Sequence, residues 1–232
     1  TYLQLGKLES QDQVATARYL ASLPYVDANN IGIWGWSFGG FNTLMSMSSG
    51  DNVFKAGVSV APPTSFRYYD TIYTERYMRT PKENAKGYDD NAMSRAHNLH
   101  GALLICHGLA DDNVHPQNTF EYAESLVQAD KDFKELYYTN RNHSIYGGNT
   151  PITAAHLTLR GGTGGIGRAD SHLLIAVTIF SQQLRMAHNH PGDLPEIRVS
   201  TAAAAGERIP DISKKPRTPL ASPPNSYTVA PG

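Results

Sequence analysis

Apolar and polar residues along the first 150 positions follow the periodicities of alternating helices and strands. From about residue 8 to residue 22, apolar side chains recur at helical spacing, and Pro24 follows the predicted end of that helix. A second helix is predicted at residues 41–47, with Gly50 just past its end. Short apolar runs that are typical of buried strands occupy residues 31–34, 56–60 and 103–106, and a fourth strand, with a partly alternating pattern, is predicted at residues 133–138.

A third helix is predicted after Pro116, with Phe120, Ala123 and Val127 on one of its faces. The predicted order is therefore helix, strand, helix, strand, strand, helix, strand. Strands that alternate with helices indicate an α/β fold with a mostly parallel sheet. A tyrosine-rich insert at residues 62–100 separates the second and third strands, and we expect it to form a wall or lid over the sheet.

The composition changes after residue 150. Residues 151–232 contain the low-complexity segments GGTGGIG and TAAAAG and a proline-rich end. Such a segment buries too little apolar surface to offset the entropy of ordering, so we predict that most of this atypical tail is disordered. The segment SHLLIAVTIFSQQLRMAH is the exception and predicts a helix near residues 171–188. A native extension and a frameshift would both account for the tail.

Charge and cysteine content narrow the function classes. The net charge is −1 and 18% of the residues are charged, which offers no electrostatic argument for nucleic acid or an anionic membrane as partner. The single cysteine, Cys106, excludes an internal disulfide framework. The first residues lack the pattern of a signal peptide and an initiator Met, so we expect the chain to begin inside a longer protein. These features do not decide the cellular compartment of the protein.

The segment Gly35-Trp36-Ser37-Phe38-Gly39 has the G-x-S-x-G pattern of a nucleophile elbow. In such an elbow the serine lies on a tight turn from a strand into a helix, and the residues two before and two after it must be small. The predicted strand before it and helix after it fit this context. The alternative is an ordinary serine in a glycine-rich turn.

A serine nucleophile needs a histidine base and an orienting carboxylate. Asp111 follows the third predicted strand in HGLADDNVH, and His143 follows the fourth in NRNHSI. Loops after parallel strands meet at the carboxyl edge of a sheet, and the order Ser, Asp, His is that of α/β-hydrolases. Spacing does not separate Asp111 from its neighbour Asp112, which remains a rival.

The other histidines are weaker candidates for the base. His107 ends a predicted strand and is expected to be structural, whereas His115 could line a wall near Asp111. The remaining histidines precede the third strand or lie in the tail: His97, His100, His156, His172, His188 and His190. No grouping has convincing metal-ligand spacing, so we predict no metal site, and acyl transfer by a serine, a histidine and a carboxylate needs no cofactor.

Four motifs in order resemble the C-terminal part of dipeptidyl peptidase IV-type enzymes of the prolyl oligopeptidase family of serine peptidases. They are GWSFGG, APPTSFRYYDTIYTERYM, HGLADDNVHPQN and NRNHSI, and the resemblance covers roughly residues 5–149. The segments LMSMSSGDNVFKAG and KENAKGY suggest a bacterial member, which would make an extracytoplasmic location plausible.

The resemblance implies the C-terminal portion of an α/β-hydrolase domain over residues 1–150, truncated at its N-terminus, and an upstream β-propeller. It implies Ser37 as nucleophile, Asp111 as orienting acid, His143 as base and the Phe38 backbone N–H as an oxyanion donor. In this family the second oxyanion donor, a tyrosine hydroxyl, and two glutamates that bind the substrate N-terminus lie upstream. We therefore expect the isolated segment to be inactive. The resemblance does not decide whether the protein forms a homodimer.

The resemblance also implies a substrate pocket. It assigns Tyr69, Tyr73, Phe66 and Val114 to the walls around the penultimate proline or alanine of a peptide, and Asn113 to a substrate carbonyl. Aromatic walls offer flat apolar surface to a rigid ring, although such a cluster alone is more often core. The implied activity is release of N-terminal dipeptides. A prolyl endopeptidase or acylaminoacyl-type peptidase, a generic esterase and a non-catalytic fragment are the alternatives.

Overall fold

Six strands form one sheet in the part of the chain that the computed structural model describes, which comprises residues 1–146, 174–179 and 198–202. The strands are β1 (Ile31–Trp36), β2 (Ala56–Val60), β3 (Ala102–Gly108), β4 (Lys134–Tyr138), β5 (Leu174–Ile179) and β6 (Arg198–Ala202). Their order in the sheet is β4-β3-β2-β1-β5-β6. Every neighbouring pair is parallel except β5 and β6, which are antiparallel. The predicted parallel sheet and its four strands within residues 1–150 are confirmed.

The helices are α1 (Lys7–Ala21), α2 (Phe38–Met47), α3 (Thr71–Met78), α4 (Ala85–Asp89) and α5 (Gln117–Gln128), with 3-10 turns at Phe66–Tyr68 and Met93–Asn98. The main core joins α1, α2 and the insert to one face of the sheet, where Ile33 and Ile105 are buried against Phe41 and Leu44. A second, smaller core cluster contains Val58, Cys106 and Ile145. Within the described residues, no helix combines the length and apolar character needed to cross a membrane.

Helix α5 begins directly after Pro116, as predicted, but its buried face differs from the predicted apolar one. Phe120 and Val127 are 49% and 60% exposed, whereas Tyr122 and Leu126 are fully buried. The interior side of α5 also carries polar side chains that make specific hydrogen bonds, such as Asn118, whose Oδ1 accepts from the Thr64 N–H at 2.9 Å. The inward face of α5 therefore combines polar contacts with Tyr122 and Leu126, and hydrophobicity alone does not show it.

The insert between β2 and β3 folds as short helices over one face of the sheet. Asn84 joins it to the start of the chain, since its Nδ2 donates to the carbonyl oxygens of Leu3 and Met78, both at 2.9 Å. Tyr88 is buried, and its hydroxyl donates to the Arg79 carbonyl at 2.6 Å. These contacts join the insert to the start of the chain, and Phe66 at the beginning of the insert lies 6.3 Å, between ring centroids, from Phe38 just after β1.

The prediction of a helix near residues 171–188 is wrong for Leu174–Ile179, which is strand β5. β5 pairs with β1 in parallel, with Ile33 opposite Val177. An unpaired strand edge exposes a row of N–H and C=O groups, and the β-branched residues of LIAVTI favour an extended chain that pairs with it. Likewise, the predicted disorder is wrong for Arg198–Ala202, which is strand β6. The rest of the tail predictions for residues 151–232 falls outside the described residues.

Candidate active site

Ser37 lies on the turn between β1 and α2 in a backbone conformation that few residues adopt, with φ 56° and ψ −121°. Only a crowded turn holds a serine there, because a positive φ costs free energy for any residue with a Cβ. The crowding is measurable at Gly35, where an added Cβ would lie 2.2 Å from the backbone carbonyl of Gly39. The Ser37 N–H donates to the Val60 carbonyl at the end of β2, at 2.8 Å. Ser37 thus has the geometry of a nucleophile elbow.

Phe38 is the first residue of α2. The first N–H groups of a helix have no intrahelical acceptor and carry the positive end of the helix dipole. The backbone N–H that follows Ser37 is therefore suited to stabilise negative charge that develops beside the serine.

Asp111 and His143 come together at the carboxyl ends of β3 and β4. His143 Nδ1 lies 2.7 Å from Asp111 Oδ2, and the Asp111 carboxylate is fully buried. Asp111 Oδ1 accepts from the N–H groups of Asn113, at 3.0 Å, and Val114, at 2.9 Å. Burial alone would raise the pKa of Asp111, but the neighbouring ring nitrogens of His107 and His143, the charge of His143 and the Val114 N–H hold it well below its usual range.

The structure separates the two adjacent carboxylates that spacing could not. Asp111 is buried and bonded to His143, whereas Asp112 is exposed. The difference arises because the turn after β3 directs the Asp111 side chain inward onto the N–H groups of residues 113 and 114. Asp111 is therefore the carboxylate that can orient a histidine here.

The loop that carries His143 is held against both neighbouring loops. The Ala110 N–H donates to the Arg141 carbonyl at 3.0 Å, and the Trp36 Nε1 donates to the His143 carbonyl at 2.9 Å. Gly108 permits this close approach, since a Cβ there would lie 2.3 Å from the Arg141 oxygen. The described residues include no hydrogen bond between the Ser37 hydroxyl and the His143 ring, a contact that often tightens only when substrate binds.

Aromatic side chains of the insert pack with Phe38 in one cluster. Phe66 lies 6.3 Å from Phe38 and stacks on Tyr73 with 6.3 Å between ring centroids. Tyr69 meets Tyr73 edge to face at 5.3 Å, and Tyr77 lies 4.8 Å beyond Tyr73. The cluster therefore begins at the residue next to Ser37 and offers an apolar wall beside it.

The remaining predicted pocket residues connect this cluster to the Asp111 turn. The Tyr69 hydroxyl donates to Asn113 Oδ1 at 2.9 Å, which leaves the amide N–H₂ of Asn113 as the group able to donate elsewhere. Phe66 and Val114 are 4% and 0% exposed, so neither presents much surface of its own.

Comparison with known proteins identifies the family. The profile of the prolyl oligopeptidase family matches residues 1–160. The chain belongs to this family. It is 47% identical over 146 residues to a "Probable dipeptidyl-aminopeptidase B" of Pyrenophora teres f. teres, covering 61% of this chain and 16% of that protein. It is 44% identical over 149 residues to the dipeptidyl peptidase 4 of Felis catus, covering 62% of this chain and 20% of that protein.

The crystal structure of Porphyromonas gingivalis dipeptidyl peptidase 4 superimposes with a TM-score of 0.66 and 55% sequence identity, covering 70% of this chain and 23% of that one. The predicted α/β-hydrolase fold is thereby confirmed for this prolyl oligopeptidase family member. The chain spans less than a quarter of the length of these proteins. The bacterial origin stays a prediction.

Two residues at this family member's site were missed by sequence reasoning. Trp36 contacts the His143 backbone, and His107, expected to be structural, lies with its Nε2 3.3 Å from Asp111 Oδ2. The only sequence signal for either is its place at the carboxyl end of a strand beside a candidate residue. By contrast, His97, His100 and His115 are exposed, and the four tail histidines fall outside the described residues.

The described part of this chain contains no group of three or more His, Cys, Asp or Glu side chains that could together hold a metal ion. Cys106 is buried in β3, and burial raises the pKa of its thiol to about 12. A thiol that stays protonated is a poor nucleophile, so Cys106 does not compete with Ser37.

Proposed function

We propose that Ser37, Asp111 and His143 form the catalytic triad of a serine peptidase that releases N-terminal dipeptides with proline or alanine at the penultimate position. The observation that carries the proposal is the 2.7 Å hydrogen bond from His143 Nδ1 to the buried Asp111 carboxylate. Membership of the prolyl oligopeptidase family and the strained backbone of Ser37 support it.

The proton positions follow from the acceptor. An ionised carboxylate only accepts hydrogen bonds, so His143 donates from Nδ1 and, when neutral, keeps the lone pair on Nε2. Nε2 takes the proton of the Ser37 hydroxyl as Oγ attacks the substrate carbonyl carbon. The Phe38 N–H stabilises the oxyanion that forms.

The intermediate collapses when the bond from carbon to the leaving nitrogen breaks and His143 returns its proton to that amine. Water then attacks the acyl-enzyme, again with His143 as base, and Ser37 is released with its proton. The reaction needs no cofactor, because every proton is carried by the histidine and the negative charge by the helix N-terminus.

Substrate choice is assigned to the aromatic cluster. Tyr69 and Tyr73 offer flat walls that suit a proline ring, Phe66 stacks on Tyr73, and the buried Val114 is assigned to the same pocket from the Asp111 turn. Asn113 donates its amide N–H₂ to a substrate carbonyl. Full activity would also draw on an upstream β-propeller and a second oxyanion donor, and a homodimer remains a further proposal. The 232-residue chain alone is expected to be inactive.

The test measures hydrolysis of a chromogenic Gly-Pro amide by the full-length gene product. Ser37→Ala is expected to abolish turnover and labelling by a fluorophosphonate. Ser46→Ala is the matched control, because Ser46 is buried in α2 and its hydroxyl has no hydrogen-bond partner among the described residues. Labelling that persists in Ser37→Ala would overturn the assignment of the nucleophile.

Substrate comparison distinguishes the rival activities. A dipeptidyl peptidase cleaves Gly-Pro amide but not its N-acetylated form, whereas an endopeptidase or acylaminoacyl-type peptidase accepts the blocked substrate. Faster turnover of short acyl esters without amide cleavage would indicate a generic esterase. No labelling and no turnover in the full-length gene product would indicate a non-catalytic protein.

A further inference from the structure

His107 is a fully buried imidazole that the proposed triad does not use. It is the penultimate residue of β3, and both of its ring nitrogens have partners. Nδ1 lies 2.7 Å from Thr119 Oγ1 on α5, and Nε2 lies 2.8 Å from the Val114 carbonyl oxygen. The same Nε2 lies 3.3 Å from Asp111 Oδ2. His107 therefore lies beside the orienting carboxylate in the protein interior.

The partners determine where the proton of His107 lies. A carbonyl oxygen only accepts, so the contact with Val114 places a hydrogen on Nε2. The Thr119 hydroxyl can then donate to Nδ1. The Nε2–H of His107 then points into the space shared by the Val114 carbonyl and Asp111 Oδ2.

Asp111 is thereby surrounded by donors on both oxygens. Oδ1 accepts from the N–H groups of Asn113 and Val114, and Oδ2 accepts from His143 and faces His107 Nε2–H. A buried carboxylate is stable when its lone pairs are satisfied, and donors on both oxygens prevent its rotation. Without His107, Oδ2 would keep His143 as its one donor among the described residues.

We propose that His107 is a positioning residue, which holds the Asp111 carboxylate and the turn through Val114 so that Oδ2 points at His143. The inference rests on the proposed function of the triad. His107 acts twice, because its Nε2–H holds the carbonyl of Val114, whose own N–H binds Asp111 Oδ1, and the same nitrogen lies 3.3 Å from Asp111 Oδ2. Thr119 fixes the ring from α5, so helix, strand and catalytic turn are held as one unit.

Two substitutions of the same polarity test the proposal in the full-length gene product. His107→Gln places an amide N–H₂ near the position of Nε2, whereas His107→Asn places it near Nδ1 and removes the donor to Asp111. Gln is expected to keep kcat on Gly-Pro amide within about 3-fold of wild type, and Asn to lower kcat about 10- to 100-fold. KM is expected to change little in both, because the His107 side chain is fully buried.

A proton resonance gives a readout that needs no substrate. The His143 Nδ1–H in a short bond to a carboxylate resonates far downfield in a ¹H NMR spectrum of the protein. We expect this signal in wild type and His107→Gln, and its broadening or loss in His107→Asn. Thr119→Val, which keeps volume but removes the Nδ1 partner, is expected to broaden it as well.

The outcomes separate positioning from mere packing. Equal losses of kcat in the Gln and Asn variants, or an unchanged resonance in Asn and Thr119→Val, would overturn the proposal. Circular dichroism at the assay temperature restricts the comparison to folded variants, and Thr119→Val decides the matter if neither His107 variant folds. A wild type without Gly-Pro turnover would count against the proposed function alone, because the resonance reports on Asp111 and His143 directly.

Discussion

The indole Nε1 of Trp36 donates a hydrogen bond to the backbone carbonyl oxygen of His143 at 2.9 Å, across 107 positions of the chain. Trp36 is the last residue of β1 and directly precedes Ser37. The bond therefore joins the serine turn to the histidine loop without using either reactive side chain. The ring of His143 is held by Asp111 and its backbone by Trp36, so two separate contacts set where the imidazole lies.

Trp36→Phe is predicted to slow the labelling of Ser37. Phenylalanine keeps an aromatic ring in the cluster but loses the N–H donor, so the histidine loop is less well positioned. A hydrogen bond of this kind contributes about 0.5–1.5 kcal/mol, and we expect roughly a 2- to 10-fold lower second-order rate constant with a fluorophosphonate. The measurement uses the full-length gene product.

Trp34→Phe is the control for this prediction, since Trp34 packs in the same cluster and the substitution removes the same volume. It is expected to change stability without slowing the labelling. Equal slowing by both substitutions would show that packing, not the indole hydrogen bond, accounts for the effect.

Asp111→Asn is predicted to lower kcat on Gly-Pro amide by about 1,000- to 10,000-fold, as expected when a triad histidine is held in the wrong tautomer. The amide can still accept from the Asn113 and Val114 N–H groups, but its N–H₂ then faces His143 Nδ1. Asp112→Asn serves as the matched control, because Asp112 is exposed. A comparable loss in Asp112→Asn would contradict the assignment of Asp111.

The stability contributed by Asp111 is predicted to vanish in acid. Folding lowers the pKa of Asp111 below its ordinary value of 3.8. As the pH falls, the unfolded chain therefore takes up the proton before the folded protein does. Wild type should exceed Asp111→Asn in unfolding free energy by on the order of 2 kcal/mol at neutral pH. Urea titrations should show that this difference persists above about pH 5 and shrinks below about pH 4. A difference that is independent of pH would refute it.

Gly35→Ala is predicted to destabilise the fold by about 2–3 kcal/mol, because the new methyl would meet rigid backbone atoms of Gly39. Gly50→Ala is the comparison: it meets nothing within 4 Å, and only its φ of +87° opposes the substitution. Its cost should be about 1 kcal/mol. Urea unfolding measures both, and equal costs would argue against a crowded serine turn.

Tyr69→Phe is predicted to raise KM for Gly-Pro amide roughly 2- to 10-fold with a smaller effect on kcat. The substitution keeps the aromatic wall but removes the hydroxyl that donates to Asn113 Oδ1, so the Asn113 amide loses its orientation. Tyr68→Phe, one position away, is expected to leave KM unchanged. An unaltered KM in Tyr69→Phe would remove Asn113 from the proposed substrate contacts.

Local patterns were enough to predict much of the fold and the candidate site. The strand, turn and helix around Ser37 depend on residues close in sequence, and Gly35 and Gly39 are small because that turn is crowded. The strand before Asp111 is a short apolar run and the strand before His143 is partly alternating, and in a parallel sheet their carboxyl ends meet at one edge. These features are set by local sterics and by the periodicity of side chains, which a single sequence displays.

Contacts between distant segments were decided only by the tertiary structure. The direction of one turn places the Asp111 side chain inside and the Asp112 side chain outside. His107 lies beside the Asp111 carboxylate because its ring is held by Thr119 on α5 and by the Val114 carbonyl. Residues 174–179 are apolar enough for a helix or a strand, and pairing with the edge of β1 selects the strand. The sequence determines which segments are buried and which turns are tight, whereas hydrogen bonds between distant segments decide which polar atoms face one another.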